Sequence, residues 1–483
     1  MSTRQIASST LWQIASQAVM AALSIVTTRF VYMGLSPELV GNYNSAYGFL
    51  QIFGILADFG LYAVAVKEVS RAEDKGRVLG SMFLIRAVIL VISLSVAILI
   101  AFITPAWRGT VLPLGIAVAA FVPFFTLLAG MLRTIFQVTY RMKYVFIAEV
   151  SQRILTTTLI AGCVLYVGLN RSTDATFYYF FLAFGGIGAL LLCVFSLFFG
   201  FRLLPFKLKS DRAEVWALLK MASPYGLAFL ATALYRQTDI TMIATLRPDY
   251  DIQNAYYGAV QRMADMAYLM PTFLLNSVLP MLSERDGKGD DTKQLLGKTF
   301  LILLLLGSIS ALFAFLWARP LVSLLVTDHY LSTTNQPGSD TALRLIALPM
   351  FLNGFIQFAF YVLLTKHAWR RLVATLSIGV VISIGLNLWL IPTYGFVGAG
   401  MTSMIVHAIL VLILLPQSLR LMPMSISRKY LMQWIGFSLG LGFFLWITSP
   451  FLSGSFSTVI GLVAATLFMG VLAWILRLNR SLR

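Results

Sequence analysis

Fourteen separate stretches of this 483-residue chain are apolar for long enough to cross a bilayer, and that repetition constrains the fold more than any motif. They lie near 10–32, 42–66, 78–103, 109–132, 144–168, 175–201, 219–245, 252–282, 297–325, 341–365, 370–392, 395–417, 430–449 and 455–476. Backbone N–H and C=O groups in hydrocarbon must be satisfied within their own segment, so each stretch reads as a helix. Most connections are under about fifteen residues, which leaves no room for a catalytic domain outside the membrane. Hydrophobic residues make up 59% and charged residues 11%, against about 45–50% and about 25% in soluble domains. An ordinary soluble enzyme, a disordered chain and a secreted disulfide scaffold are excluded. The expected fold is an all-α polytopic membrane protein with about 14 transmembrane helices.

The basic residues set the expected orientation. A net charge of +17 would suggest nucleic acid in a soluble protein, but here lysine and arginine are dispersed among short loops. With the N-terminus cytoplasmic, alternate connections and the two tails hold 26 of the 36. The opposite connections hold four (Arg108, Arg171, Arg247, Arg319), and six lie within spans. That asymmetry predicts an even number of spans with both termini cytoplasmic. One arginine precedes the first apolar run and no small-residue cleavage site follows it, so an uncleaved first helix is expected. Cys163 and Cys193 both fall in apolar runs and read as small packing residues.

The polar connection from Arg202 to Lys220 divides the chain. Asp211 and Glu214 in it have helix-capping spacing before Val215, Trp216 and Leu218, which predicts a short amphipathic helix. The expected organisation is a six-helix bundle over 1–202, a linker over 203–220, a second six-helix bundle over 221–417, and two appended helices with a basic tail over 418–483. An internal echo supports pseudo-symmetric halves: Tyr43 matches Tyr256 and Ala46 matches Ala259, both 213 residues apart. The span from Tyr430 to Leu476 carries no charge, as suits a lipid-facing pair.

Polar residues are costly inside a membrane, so their alignment marks helix faces that meet water, ligand or another helix. On the second span Asn44, Tyr47, Gln51, Gly54 and Asp58 share a face at three- and four-residue spacing. On the eighth, Asn254, Gly258, Gln261, Asp265, Tyr268, Thr272 and Asn276 do the same. The first span carries Thr10, Gln13, Gln17, Ser24 and Thr28, and the seventh Thr232, Arg236 and Asp239. These stripes predict a polar cavity lined by spans 1, 2, 7 and 8; hydrogen-bonded glue between helices is the bland alternative. Arg236 with Asp239 and Arg262 with Asp265 stand at i, i+3, which suits either structural pairing or ligand contact. Arg29 lies off the stripe of its span and can snorkel or face a ligand, while Arg86 is expected to snorkel inward. Arg153 follows Glu149 by four residues and is expected to pair with it. Asp58 has no basic neighbour on its own helix; it is either a partner for an arginine on another helix or a proton carrier. His407 reads as a packed histidine, and Pro224, Pro271, Pro280 and Pro349 are expected to bend their spans.

No phosphate-cradling glycine loop, Ser/His/Asp set or metal-ligand cluster is present in the sequence, so no enzymatic activity is expected. An arginine-bearing transporter remains, and guanidinium groups suit phosphate and pyrophosphate. The stretch Gly41-Asn-Tyr-Asn-Ser-Ala-Tyr47, with Leu56-Ala-Asp-Phe-Gly-Leu61 and Val66-Lys-Glu68, resembles the second-helix region of bacterial polysaccharide-unit (O-antigen/exopolysaccharide, Wzx-type) flippases. Those proteins share a superfamily with multidrug extruders and the peptidoglycan lipid flippase. Tyr235-Arg-Gln-Thr-Asp239 through Leu279-Pro-Met-Leu-Ser283 resembles the family's seventh and eighth helices. Leu390-Ile-Pro-Thr-Tyr-Gly395 with Gly398-Ala-Gly400 resembles its eleventh-to-twelfth turn.

The resemblance implies a V-shaped pair of six-helix bundles, alternating access and a polyprenyl-pyrophosphate-linked oligosaccharide as substrate. It implies basic residues in the cavity, a role carried to Arg29, Arg236 and Arg262. With them Asn44, Gln51, Asp58, Asp239, Gln261 and Asp265 form the candidate substrate-binding set. The expected location is the bacterial cytoplasmic (inner) membrane. Membrane lipids and polysaccharide polymerase and chain-length machinery are the expected partners, with no nucleic acid. No cofactor or metal is expected, and coupling to a proton or sodium gradient is left open. Rival readings are a cation-coupled multidrug exporter of the same fold, a membrane glycosyltransferase or polymerase, and the peptidoglycan lipid flippase.

Overall fold

The computed structural model describes residues 3–58, 61, 68–69, 72–167, 173–206, 208, 212–288 and 290–478. Phe59, Gly60, Val66 and Lys67 of the motifs above, Asp211 of the capping pair, and Arg71, Arg171, Lys207, Lys209, Arg480 and Arg483 lie outside the described residues. Among the described residues there are no strands. Fourteen helices of 21 or more residues follow one another: α1 (Thr3–Gly34), α2 (Pro37–Asp58), α3 (Lys75–Ile103) and α4 (Leu112–Val138, with a turn at Ala120). Then come α5 (Lys143–Val167), α6 (Ala175–Leu203), α7 (Arg212–Leu246), α8 (Tyr250–Lys288) and α9 (Lys293–Leu316). After a short helix, Ala318–Leu325, follow α10 (Ser339–Thr365), α11 (Trp369–Tyr394), α12 (Phe396–Leu421), α13 (Arg428–Thr448) and α14 (Ser455–Ile475).

Nine of the described helices are long and apolar enough to cross a membrane, or ten when the two bent segments of α7 count as one span. The order of the helices is consistent with the fourteen spans expected from sequence. Apolar side chains exposed along α3 (Val91, Ile92, Leu99) and along α13 and α14 (Leu439, Phe443, Leu467, Trp474) fit contact with lipid tails rather than water. The chain is a multi-pass membrane protein.

By contacts the chain divides into two compact units, Met1–Ala255 and Tyr256–Arg483, the division falling inside α8. In the first, α4 packs on α6, α1 on α5, and α2 on α3 and α7. In the second, α9 and α12 pack on α10, α11 on α12, and α13 and α14 pair beside α9. The repeat legible at Tyr43 and Tyr256 extends to helix starts, since Pro37 of α2 and Tyr250 of α8 are also 213 apart. Ala46 and Ala259 are fully buried at matching turns, where a larger side chain would hold neighbouring backbones apart.

The amphipathic segment expected before the seventh span is the first part of α7. Trp216–Ser223 is inclined by 53° to Gly226–Leu246 across the position of Pro224, where the sequence supplies no amide donor. Trp216 is exposed, whereas Leu218 is buried in an apolar cluster with Leu79, Met82 and Phe206. α10, by contrast, runs unbroken past Pro349. Trp317, at the head of the short helix, donates from Nε1 to the Leu445 carbonyl at 2.8 Å and centres the cluster that seats α13 and α14. Cys163 and Cys193 are both free thiols.

Candidate functional site

Helix α2 presents different chemistry on adjacent faces. Gly41, Ser45 and Gly48 recur at four- and three-residue spacing, and such small residues let helix backbones approach. A Cβ at Gly41 would overlap the Asp251 carbonyl, and one at Gly48 would lie 2.6 Å from the Ile240 side chain. This close approach permits a buried hydrogen-bonded knot within the first unit. Asn44 Nδ2 donates to Tyr32 Oη and to the Asn254 carbonyl, each at 3.0 Å. Asn254 Nδ2 donates to Ser45 Oγ at 2.8 Å and to the Ile240 carbonyl at 2.9 Å. Tyr32 Oη donates to the Ala255 carbonyl and Tyr250 Oη to Asn42 Oδ1, both at 2.9 Å. Asn44 and Asn254 are essentially inaccessible, so these bonds satisfy groups that would otherwise be costly to bury. The knot fastens the α1–α2 end to the α7–α8 connection.

Two carboxylates tie neighbouring helices together. Asp58, at the far end of α2, meets Arg86 of α3 at 2.6 Å, with the arginine side chain only 3% exposed and the aspartate 34% exposed. Arg86 therefore does not snorkel to the surface: a carboxylate on the adjacent helix holds it in the packed interior. Of the two roles open to Asp58 from sequence, the structure supplies the arginine partner. Glu149 of α5 accepts from Arg133 Nη1 of α4 at 3.0 Å and from Ser16 Oγ of α1 at 2.5 Å, linking three helices. In the α7–α8 connection, Arg247 donates to both Asp249 carboxylate oxygens at 2.7 and 2.9 Å. Those bonds, joined by one from Gln253 at 2.8 Å, hold the Asp249 carboxyl below the usual aspartate range.

The other candidate residues fall on several helices. Arg29 is half-buried on α1, Gln51 is exposed on α2, and Arg236 is half-buried on α7 one turn before the buried Asp239. Gln261, Arg262 and Asp265 are half-buried along α8 in the second unit. Further along α8 the polar stripe is glue to α10. Thr272 Oγ1 donates to Gln357 Oε1 at 2.8 Å, Gln357 Nε2 donates to the Tyr268 carbonyl at 3.1 Å, and Tyr361 Oη donates to Asn276 Oδ1 at 2.5 Å. His407 is buried, stacked on the Tyr268 ring, with Nδ1 2.8 Å from the Ser403 carbonyl. It is a packing residue, as expected. Among the described residues no group of three or more His, Cys, Asp or Glu could hold a metal ion.

Sequence reasoning passed over Tyr32, Ser45 and Tyr250, which complete the knot around Asn44. The signal that could have found them is the Gly41, Ser45, Gly48 spacing, which marks where a second backbone comes close.

Long helices in two compact units, with half-buried charges inside the helices and exposed apolar surfaces, define the chain as a multi-pass membrane protein. Residues 6–286 match the family described as polysaccharide biosynthesis protein, and the chain belongs to that family. The structure is similar to the lipid II flippase MurJ in its inward closed conformation, with TM-score 0.69 and 14% identity over 98% of this chain and 99% of that one. It is similar to an inward-facing multidrug resistance MATE family transporter of the MOP superfamily, with TM-score 0.59 and 11% identity over 84% and 94% of the two chains. The MATE multidrug transporter DinF-BH gives TM-score 0.59 and 15% identity over 88% and 97%. No curated protein sequence matches.

Proposed function

We propose that the protein is a flippase that carries oligosaccharide repeat units, linked by pyrophosphate to a polyprenyl lipid, from the cytoplasmic to the outer leaflet of the bacterial inner membrane. Membership of the polysaccharide biosynthesis family supports a saccharide cargo. The observation that carries the anionic part is where the arginines sit. Arg29, Arg236 and Arg262 are half-buried within helices. An arginine at the centre of a membrane helix costs about 2.5–3.5 kcal/mol to insert, and a pyrophosphate ligand offsets that cost. In this reading Arg29, Arg236 and Arg262 contact the pyrophosphate in planar, charge-assisted forks. Asp239 and Asp265, each three residues further on, hold Arg236 and Arg262 between transport events. Gln51 and Gln261 supply hydrogen bonds to sugars, and the polyprenyl chain stays in lipid.

Transport proceeds by alternating access, with both termini cytoplasmic and delivery to polysaccharide polymerase and chain-length machinery. The likeness to multidrug transporters favours one rival, export of organic cations; arginines along the path would repel such cargo. In cells, Arg236→Ala and Arg262→Ala each reduce polysaccharide export while membrane insertion is unchanged. Export at the wild-type level in both variants would refute the pyrophosphate role.

A further inference from the structure

At the α10–α11 connection of the second unit lies an open surface pocket of about 460 Å³ lined by Lys366, His367, Ala368, Trp369, Arg370, Arg371 and Leu421. That volume falls in the range of small-ligand sites. Four of these side chains are basic, within six consecutive residues, and no acidic residue lines the pocket. The first turn of α11 likewise contains no acidic residue, and its N-cap, Ala368, has no side chain to accept a hydrogen bond. The first bond of this helix runs from the Leu372 amide to the Ala368 carbonyl. The Trp369, Arg370 and Arg371 amides therefore lie ahead of the intrahelical ladder, at the positive end of the helix dipole.

The Arg370 guanidinium lies 5.5 Å from the centre of the Trp369 ring, which steadies it beside the pocket. Trp369 and Leu421 add an amphipathic and an apolar wall, the pairing found where a membrane meets water. The distribution of lysine and arginine puts this connection on the cytoplasmic side.

We propose that this pocket binds a phosphate group carried by a lipid of the cytoplasmic leaflet, separately from the candidate residues of α1, α2, α7 and α8. The anion neutralises the neighbouring basic side chains and caps α11, and the lipid chains run past Leu421 and the Trp369 ring. Basic residues clustered on the cytoplasmic side for topology alone need neither a pocket nor an uncapped helix start.

The test uses the purified full chain in detergent, titrated with phosphatidylglycerol, with phosphatidylcholine and with sodium pyrophosphate, and read by native mass spectrometry. Arg370→Gln/Arg371→Gln removes two exposed cations from the pocket, and the lipid-free melting temperature verifies that the variant is folded. Arg428→Gln/Lys429→Gln removes the same charge from the next connection on the same side. The expected result is phosphatidylglycerol binding roughly twenty- to thirtyfold weaker in the pocket variant, at about fivefold per cation lost, and less than about twofold weaker in the control. Phosphatidylcholine binding as tightly as phosphatidylglycerol, or equal losses in the two variants, would overturn the site. Pyrophosphate that binds wild type in a pocket-dependent way, while phosphatidylglycerol does not, would overturn the lipid as the source of the phosphate.

Discussion

Removing the Asp58 carboxylate strips the Arg86 charge of an ion pair in the interior of the first unit. The pair is 2.6 Å apart, with Arg86 3% and Asp58 34% exposed in their side chains. Breaking a fully buried pair by deleting one partner costs about 3–5 kcal/mol, because the survivor is left uncompensated. Since Asp58 is about one-third exposed, water screens part of the interaction, and about 2–3 kcal/mol is the expected loss in Asp58→Leu. For a unit of some 250 residues that lowers the melting temperature by roughly 5–10 °C. Replacing both partners with apolar residues leaves no stranded charge, so Asp58→Leu/Arg86→Met is expected within about 1 kcal/mol of wild type. The assay is thermal unfolding of the purified proteins in one detergent, with the two single variants and the double variant side by side. A double variant as unstable as Asp58→Leu, or no loss in Asp58→Leu itself, would refute the pairing argument. Transport adds a second readout: a double variant that regains stability and transports at the wild-type rate gives Asp58 a structural role.

Two further outcomes follow from the first unit. Gly41→Ala drives a methyl group into the Asp251 carbonyl, strains the Asn44–Asn254 knot and costs about 1–3 kcal/mol; Gly162→Ala, where a Cβ meets nothing within 4 Å, is the control, and equal melting temperatures would contradict the close approach. Arg247 holds the Asp249 carboxyl below its ordinary value of 3.8, so the contribution is present above that pH and is lost as pH falls below it. The melting-temperature advantage of wild type over Arg247→Gln is therefore expected to be constant from pH 7 to 5 and to shrink on further acidification; an advantage that grows as pH falls would contradict the assignment.

The helices were legible because hydrocarbon imposes a rule that each segment obeys alone: long apolar runs separated by short polar ones. The 213-residue echo at Tyr43 and Tyr256 was legible too, and it recurs in the starts of α2 and α8. Partners across helices were not legible. Asp58 and Arg86 are 28 residues apart on different helices, and which turn of α3 faces which turn of α2 depends on packing that no local pattern encodes. Periodicity placed Asn44 and Gln51 on one face of α2 but could not tell that Asn44 is sealed in a knot while Gln51 is exposed. Glu149 shows the same limit: Arg133 and Ser16 reach its carboxylate from other helices, 16 and 133 residues away in the chain.

The most direct test of the flippase account is translocation of a polyprenyl-pyrophosphate oligosaccharide by the purified protein in liposomes, with Arg236→Ala and Arg262→Ala alongside. A hydrogen bond to a charged group is worth about 1.5–3 kcal/mol, so the account predicts translocation by wild type and at least about tenfold slower translocation in each variant. Equal rates in all three proteins, or vesicles that exchange an organic cation for protons or sodium and leave the lipid-linked sugar in place, would contradict it.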